Sequence, residues 1–383
     1  MSLWFESLPR PFVVSAPIAG MTDSSFRQLC RLYGADAVWT EMICARAMRY
    51  TNPKLKKWFE QDPRIFADLP FEDMVPIVGS DIPGNLNVLR TAPEESPAIL
   101  QLFGKDPEDF ESAAAFAVEL GFAGIDLNMG CPAKHVVGAF HGCSLMKDIP
   151  LAQEIVRSAR RGIGSSEVSL SVKFRSGWDS VIAPEFARAM EEAGADLLTI
   201  HGRTKNQGFS GMSDRKVIQS VVQAVRIPVI GNGDIVDGAS AAAMVSETWC
   251  AGVMVGRAMK GAPWIFSDIQ KVNKRTLRTI SFGHFPDRAI DTAYEHCVRL
   301  EKMKGEGRGL LESRKHLVAY IRGFAGASTW RARIVQVSTL EQVHEALSEI
   351  SVEMANDTRR QPSSGATVAT TSLTKRSLAC EGG

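Results

Sequence analysis

Long apolar runs are missing from this chain of 383 residues, and with them the roughly 20-residue hydrophobic stretch that a membrane-spanning helix needs. The opening Met-Ser-Leu-Trp-Phe-Glu-Ser-Leu-Pro has no basic segment leading into an apolar one, so no secretory leader is expected. Cysteine pairs are missing as well. The seven cysteines, at 30, 44, 131, 143, 250, 297 and 380, include no Cys-x-x-Cys and no regular spacing, which suits reduced thiols in a cytosol. An excess of one charge is absent: 44 Lys and Arg stand against 43 Asp and Glu, so any nucleic-acid-binding surface must be local. Neither a Rossmann glycine fingerprint nor a P-loop is present, and a dinucleotide is not expected as the resident ligand. These absences lead us to expect a soluble, cytoplasmic protein with no membrane contact, and no protein partner is predicted.

What is present is a rhythm. Apolar, β-branched runs bounded by Gly, Pro or Asp predict eight strands, at Phe12 to Ala16, Ala37 to Glu41, Ala98 to Phe103, Gly124 to Asn128, Ser169 to Phe174, Leu197 to His201, Pro228 to Asn232 and Gly252 to Gly256. Several are nearly continuous in apolar character, as strands covered on both faces must be. Helices with legible ends lie between them. Asp106-Pro107-Glu108-Asp109 offers a cap, a first-turn proline and acidic residues suited to the helix dipole, and Phe110, Ala113, Ala114, Ala117 and Leu120 then mark one face. Asp148 to Arg161, Pro184 to Glu192, Asp214 to Val225 and Asp237 to Ser246 repeat the scheme, and Gly-Ala-Asp closes a helix before a strand at both 34–36 and 194–196. Strict alternation implies a parallel sheet, and eight units close most naturally into a (β/α)8 TIM barrel, an α/β fold.

Two departures from the rhythm divide the chain. From Met42 to Pro97 the connection is far longer than a helix and two loops require and carries seven prolines, which implies an insertion at about 54–97. After Trp264 the alternation stops; Asp287 to Lys304, Glu312 to Gly323 and Leu340 to Met354 read as helices. The expected organisation is a barrel over 1–270, a small all-helical C-terminal domain over 280–355, and a disordered tail over 356–383 too poor in large apolar residues to order itself.

In such a barrel, ligand-binding residues follow the carboxyl ends of the strands. Those positions hold Ala16-Pro17-Ile18-Ala19, Gln101, Asn128 with Cys131, Lys173 with Arg175, His201 with Arg203, Asn232-Gly233-Asp234, and Gly256-Arg257. The glycines after strands seven and eight stand where barrels often hold phosphate, because backbone N–H groups can approach an anion there. A lone Gly-x-Gly is a common turn; two at these strands favour a phosphate-bearing ligand. Lys173, inside an apolar run, needs a carboxylate partner or an electron-rich ligand, and His201 could equally be a satisfied structural imidazole. Free cysteine is usually buried, but Cys131 lies past the end of its strand between Gly130 and Pro132. Cys131, His135, His141 and Cys143 match no common zinc spacing, their segment reads as a mobile loop, and no metal is expected.

Taken together, Ala16-Pro-Ile-Ala-Gly-Met-Thr-Asp23, Leu127-Asn-Met-Gly-Cys-Pro-Ala-Lys134, Val172-Lys-Phe-Arg-Ser-Gly-Trp178, Thr199-Ile-His-Gly-Arg-Thr204, Ile230-Gly-Asn-Gly-Asp-Ile235 and Met254-Val-Gly-Arg257 closely resemble the tRNA-dihydrouridine synthase family. The likeness spans most of residues 11–270, and the helices that follow look like that family's RNA-binding domain. It implies an FMN-dependent enzyme that reduces the carbon 5 to carbon 6 double bond of particular tRNA uridines, with NADPH as reductant. Carried over by position, Pro17, Ile18, Ala19, Gln101, Lys173, His201, Asn232, Gly233, Asp234, Gly256 and Arg257 would hold FMN, Asn128 and Arg175 would address the uracil, and Cys131 would be the catalytic acid. Lys302, Lys304, Arg308, Arg314, Lys315, Arg322, Arg331 and Arg333 outnumber the acids between 301 and 333 and supply a local basic surface for tRNA. Two features depart from the family pattern: the long insertion, and Cys143 where a small Gly or Ala is usual. The competing readings are a free-pyrimidine or other small-molecule FMN oxidoreductase on the same barrel, and a tRNA-folding helper whose reductase activity is dispensable.

Overall fold

A computed structural model describes residues 2–50, 88–273, 282, 287–305 and 307–357. Eight strands form one parallel sheet: β1 (Phe12–Ser15), β2 (Val38–Cys44), β3 (Ala98–Phe103), β4 (Gly124–Met129), β5 (Ser169–Arg175), β6 (Leu197–His201), β7 (Val229–Asn232) and β8 (Gly252–Val255). Neighbours pair in chain order from β2 to β8, β8 pairs with β1, and a parallel bridge between Val14 and Ala37 brings β1 against the foot of β2. The sheet is thus a closed barrel, as the alternation predicts.

Between the strands run α1 (Ser24–Leu32), α2 (Pro107–Glu119), α3 (Lys134–Gly138), α4 (Ile149–Ile163), α5 (Ala183–Glu192), α6 (Arg215–Ala224), α7 (Gly238–Thr248) and α8 (Ile265–Val272). Asp148, Asp214 and Asp237 cap α4, α6 and α7 through their carboxylates, as the sequence suggests. Asp106 precedes α2 in extended conformation but makes no side-chain cap bond; the Asp109 N–H, which a capping carboxylate could take, donates to the Asp106 carbonyl at 3.1 Å. The segment after Cys131, expected to be a mobile loop, instead forms α3 and a 3₁₀ turn over Gly142–Lys147, because Val136, Leu145 and Met146 are buried, the last two within the cluster between sheet and helices.

The two-residue period of the strands decides where apolar and polar groups go. On β5, Leu170, Val172 and Phe174 join the large cluster between sheet and helices, while Ser169, Ser171, Lys173 and Arg175 alternate with them and face the barrel interior. Toward the amino ends of the other strands the interior is apolar, filled by Phe12, Val14, Trp39, Ile99, Leu197, Ile230 and Met254. Trp4 closes this end, its indole N–H donating to Ser169 Oγ at 2.8 Å. The repeated Gly-Ala-Asp has one job at two places. The Asp36 N–H donates to Val13 O and Asp36 Oδ2 accepts from the Val13 N–H, both at 2.7 Å. Asp196 does the same with Leu170, at 2.7 and 2.8 Å, so each aspartate fixes the start of the neighbouring strand.

Past the barrel come α9 (Arg288–Lys304), α10 (Arg308–Tyr320), α11 (Ala327–Ile334) and α12 (Leu340–Asn356). α10 begins a turn earlier than its sequence pattern suggests, and α11 escapes sequence reading because glycines at 323 and 326 bound a short segment that buries Ala327, Trp330 and Ile334 only. These helices share their own apolar cluster and rest on α1: Tyr33 Oη lies 2.7 Å from Thr292 Oγ1, Arg299 donates to Gln28, and His316 Nε2 lies 3.2 Å from Asp23 Oδ2. Gly261 sits where a Cβ would meet Ala319 O at 2.2 Å, so α10 comes against the barrel backbone itself. The insertion expected at about 54–97 falls mostly outside the described residues, as does the tail beyond 357. Of its described end, Glu95 is buried and forms an ion pair with Arg27 at 2.5 Å. Among the described residues no helix is long and apolar enough to cross a membrane.

Candidate functional site

The carboxyl ends of the strands open into a cavity of about 620 Å³, within the usual range for a small-molecule or cofactor site. Every residue assigned a ligand-binding or catalytic role from the sequence lines it: Pro17, Ile18, Ala19, Gln101, Asn128, Cys131, Lys173, Arg175, His201, Asn232, Gly233, Asp234, Gly256 and Arg257. Residues up to 240 positions apart in the chain therefore converge because each follows a strand of the same closed sheet.

Cys131 is partly exposed on the turn after β4. Asn128 holds that turn, its Oδ1 accepting from the N–H groups of Gly130 at 3.1 Å and Cys131 at 2.9 Å. Asn128 is itself oriented from below. Its Nδ2 donates to Gln101 Oε1 at 2.9 Å, Gln101 Nε2 donates to Asp126 Oδ2 at 2.7 Å, and Asp126 Oδ1 accepts from Ser171 Oγ at 2.6 Å. This chain of amides settles which end of each is oxygen, since a carboxylate at its root can only accept. Burial pushes the Asp126 carboxyl up, opposed by Ser171, Gln101 and Lys173.

Lys173 projects from β5 into the same interior, and its ammonium donates to Asn232 Oδ1 at 3.0 Å. Asn232 Nδ2 donates in turn to Met254 O at 2.8 Å. Burial pushes the lysine down to about 8, with Asp126 opposing the change; Asp126 attracts it without forming an ion pair. His201, at the end of β6, is pushed down to about 2 by burial and by the nearby Lys173, Arg175, Arg203 and Arg257. It is a neutral imidazole. Its Nδ1 accepts from the Arg203 N–H at 3.2 Å, so the ring hydrogen is assigned to Nε2.

Arg175 binds two loops together, with Nε donating to Gly130 O and Nη1 donating to Thr204 O and Gly208 O, each at 3.0 Å. Burial lowers its pKa. Asp234 accepts from Arg203 and from the Ser213 N–H, both at 2.8 Å, and lies 3.7 Å from Arg257; these charges and bonds hold its carboxyl below the ordinary range against the effect of burial. Gly233 has φ of 121°, and a Cβ there would meet Ser213 Oγ at 2.3 Å, so the turn after β7 requires glycine.

Several lining residues escaped the sequence reading. Phe209 stands at the mouth, with the Arg257 and Arg175 guanidinium carbons 4.4 and 5.7 Å from its ring centre; an aromatic in a loop of Gly, Ser and Gln was the available signal. Met42 and Lys260 also line the cavity. Asp126, beneath it, was legible as the acid two residues before Asn128 in an apolar strand, which places both on the inward face.

The basic residues of the carboxyl-terminal helices are less free than their count suggests. Arg314 donates to Val337 O and Arg331 to Ile321 O. Lys304 and Arg308 face Glu312, and Arg333 pairs with Glu349.

Comparison with known proteins places this geometry. Residues 14–356 match the family described as Dihydrouridine synthase (Dus). The chain is 32% identical over 344 residues to a probable tRNA-dihydrouridine synthase 1 of Synechocystis, covering 88% of this chain and 85% of that one. It is 32% identical to tRNA-dihydrouridine synthase B of Xanthomonas campestris, covering 86% and 90% respectively, and 30% identical to tRNA-dihydrouridine synthase B of Pseudomonas aeruginosa, covering 92% and 96%.

Proposed function

The chain belongs to the dihydrouridine synthase family, and from that membership and the cavity we propose that it reduces specific uridines of tRNA to 5,6-dihydrouridine, holding FMN at the strand ends and using NADPH as reductant. The observation that carries the proposal is the convergence of Cys131, Lys173, His201, Gly233 and Gly256 on one cavity of cofactor size. Its residues fit the group. A Cβ at Gly256 would stand in the cavity with only Ala16 Cβ, 4.0 Å away, near it, so bare backbone faces the space where a phosphate would rest beside Gly233 and Arg257. Pro17 to Ala19 form one wall. Gln101, Lys173 and the His201 N–H supply donors for the polar edge of a heteroaromatic ring, and among the described residues only Asn232 accepts from the Lys173 ammonium.

FMN, when bound, supplies hydride chemistry that no side chain can perform. The chain's own residues contribute position and a proton. Cys131 donates its thiol proton to carbon 5 of the uracil as carbon 6 gains hydride, and Asn128 fixes the thiol by gripping the backbone N–H on which it stands. The second Nδ2 hydrogen of Asn128 reaches only the weak thioether acceptor Met42 Sδ, at 3.4 Å, and could turn to the base instead; among the described residues Arg175 Nη2 makes no side-chain hydrogen bond. Phe209 and the two arginines beside it offer a stacking surface at the rim, where a nucleotide drawn out of the RNA stack must enter.

The test is direct. Purified protein incubated with FMN, NADPH and unmodified tRNA should add two hydrogens to particular uridines, read by mass mapping, and cells lacking the protein should lack dihydrouridine at the same positions. A preparation that binds FMN and oxidises NADPH yet leaves tRNA unchanged would remove tRNA as the substrate. Free uracil reduced in its place would favour a small-molecule oxidoreductase.

A further inference from the structure

Away from the cavity, where α9 and α10 meet α1, three potential metal ligands converge in the interior. Asp23, His296 and His316 are 9%, 1% and 2% exposed, and one ligand atom from each lies within 4.8 Å of the others. We propose that they bind a divalent transition-metal ion, zinc by preference, that joins the barrel to the helices after it.

His296 Nε2 is buried and has no hydrogen-bond partner among the described residues. A buried nitrogen left without a partner is destabilising, and native interiors rarely tolerate it without a bound group. The other nitrogen of the same ring explains why this one is turned inward: Nδ1 lies 3.2 Å from Tyr320 Oη, the outer partner that a ligating imidazole commonly has and that fixes its tautomer and tilt. The His316 ring centre is 4.2 Å from that of His296, and its Nε2 already lies 3.2 Å from Asp23 Oδ2.

Asp23 is held at its other oxygen, where Oδ1 accepts from the Phe26 N–H at 3.1 Å, leaving Oδ2 for the ion. Phe26 lies against both imidazoles, with ring centres 5.6 and 6.0 Å away, which gives the group an apolar shell.

Two imidazole nitrogens and one carboxylate oxygen select the chemistry. Hard calcium and magnesium prefer all-oxygen sets, and soft copper(I) prefers sulfur, so zinc or a neighbouring divalent ion suits the group best. One negative carboxylate and two neutral rings leave the complex with a single positive charge. Ligation through His316 Nε2 places that ring's one hydrogen on Nδ1, which keeps the ring neutral, and a fourth position remains for water. The role is structural, because Asp23 follows directly on the Ile18–Thr22 turn, where Thr22 Oγ1 accepts from the Ile18 N–H at 3.1 Å. An ion here pins the carboxyl-terminal helices to the base of the loop that walls the cavity. The sequence hid this set because His316 is 293 residues from Asp23, a separation that no metal-ligand spacing rule covers.

The full chain without a histidine tag, grown with added zinc and dialysed against a weak chelator, is expected to retain close to one zinc per molecule by elemental mass spectrometry. His296→Gln and His316→Gln should each lower the retained zinc about tenfold or more. Tyr320→Phe keeps all three ligands and should weaken zinc affinity by about 10- to 100-fold, the usual effect of losing an outer partner. Should the histidine variants be insoluble, Asp23→Asn keeps the helix cap while removing the charge, and should show the same loss. Stripping zinc should lower the melting temperature of the parent and leave that of Asp23→Asn unmoved. Folded parent protein with far less than one zinc per chain, and no thermal response to zinc chloride, overturns the proposal and leaves the trio a hydrogen-bonded joint. Zinc retained in full by these variants overturns it too, since the ion would then be bound by other residues.

Discussion

Replacing the Cys131 thiol by hydrogen, in Cys131→Ala, removes the proposed proton source without touching the Asn128 bonds, which are made to backbone N–H groups. Dihydrouridine formation should fall by about 100- to 10,000-fold, the usual range for a positioned acid, with FMN and tRNA binding retained. Unchanged turnover would assign the proton elsewhere. Lys173 gives a pH expectation whose sign can be worked out. Its ammonium loses the proton at about 8, against 10.5 for an ordinary lysine, so flavin affinity should fall as pH rises through about 8 and the profile should flatten in Lys173→Met. Stability of the flavin-free chain should move oppositely: between about 8 and 10.5 the unfolded chain holds the proton that the fold has shed, and stability rises with pH where the unfolded state binds more protons. A titration in which affinity ignores Lys173→Met would remove that residue from the flavin site.

β4 and the turn after it act as a unit. Asp126→Asn preserves shape but puts a donor at the root of the amide chain. If Gln101 flips to meet the new donor, Asn128 must flip as well, which turns its Nδ2 toward the Gly130 and Cys131 N–H groups, donor against donor. About 1–3 kcal/mol is at stake, and turnover should drop about tenfold or more with secondary structure intact by circular dichroism; wild-type turnover would show that the chain does not position the thiol. Much of this unit was legible beforehand, since an apolar run ending in Asn-Met-Gly-Cys-Pro announces a strand with polar residues at its end. Asp126 was passed over although the two-residue period sets it on the face of Asn128, because an acid inside a strand announces no role until its partners Gln101 and Ser171 are known. Likewise, the segment from Lys134 looked mobile for its glycines and is helical because Val136 is buried and neighbouring Leu145 and Met146 join the cluster between sheet and helices. α11 was missed because its three anchors, Ala327, Trp330 and Ile334, keep helical spacing over only two turns, too short a run to stand out from the glycine-bounded loop before it.

For the assembled protein, the packing of barrel against helices sets how tRNA binding can be tested. Removing residues 287–355 would uncover Phe26, Tyr33 and Gln28, which α9 and α10 cover, so weaker binding could reflect damaged structure. Charge reversal is cleaner. Lys315→Glu with Arg322→Glu should weaken tRNA binding and flatten its dependence on salt, because with fewer phosphates neutralised fewer counterions are released, while FMN affinity stays the same. Equal tRNA affinity and an unchanged salt slope would take these helices out of RNA recognition. The ion pairs of Lys304, Arg308 and Arg333 mean that the basic count along the chain overstates the charge available to RNA.

The order of strands and helices, the closed eight-fold sheet and the loops that carry the chemistry were written in local patterns: apolar runs, caps, and Gly-Ala-Asp stops act over a few residues, and parallel alternation leaves few ways to close. Tertiary structure alone decided how Asp126 orients an amide chain ending at Cys131 and that Asp23 meets two histidines from beyond the barrel. Those outcomes depend on contacts across the whole chain, and local periodicity carries no information about which distant surface a residue will meet.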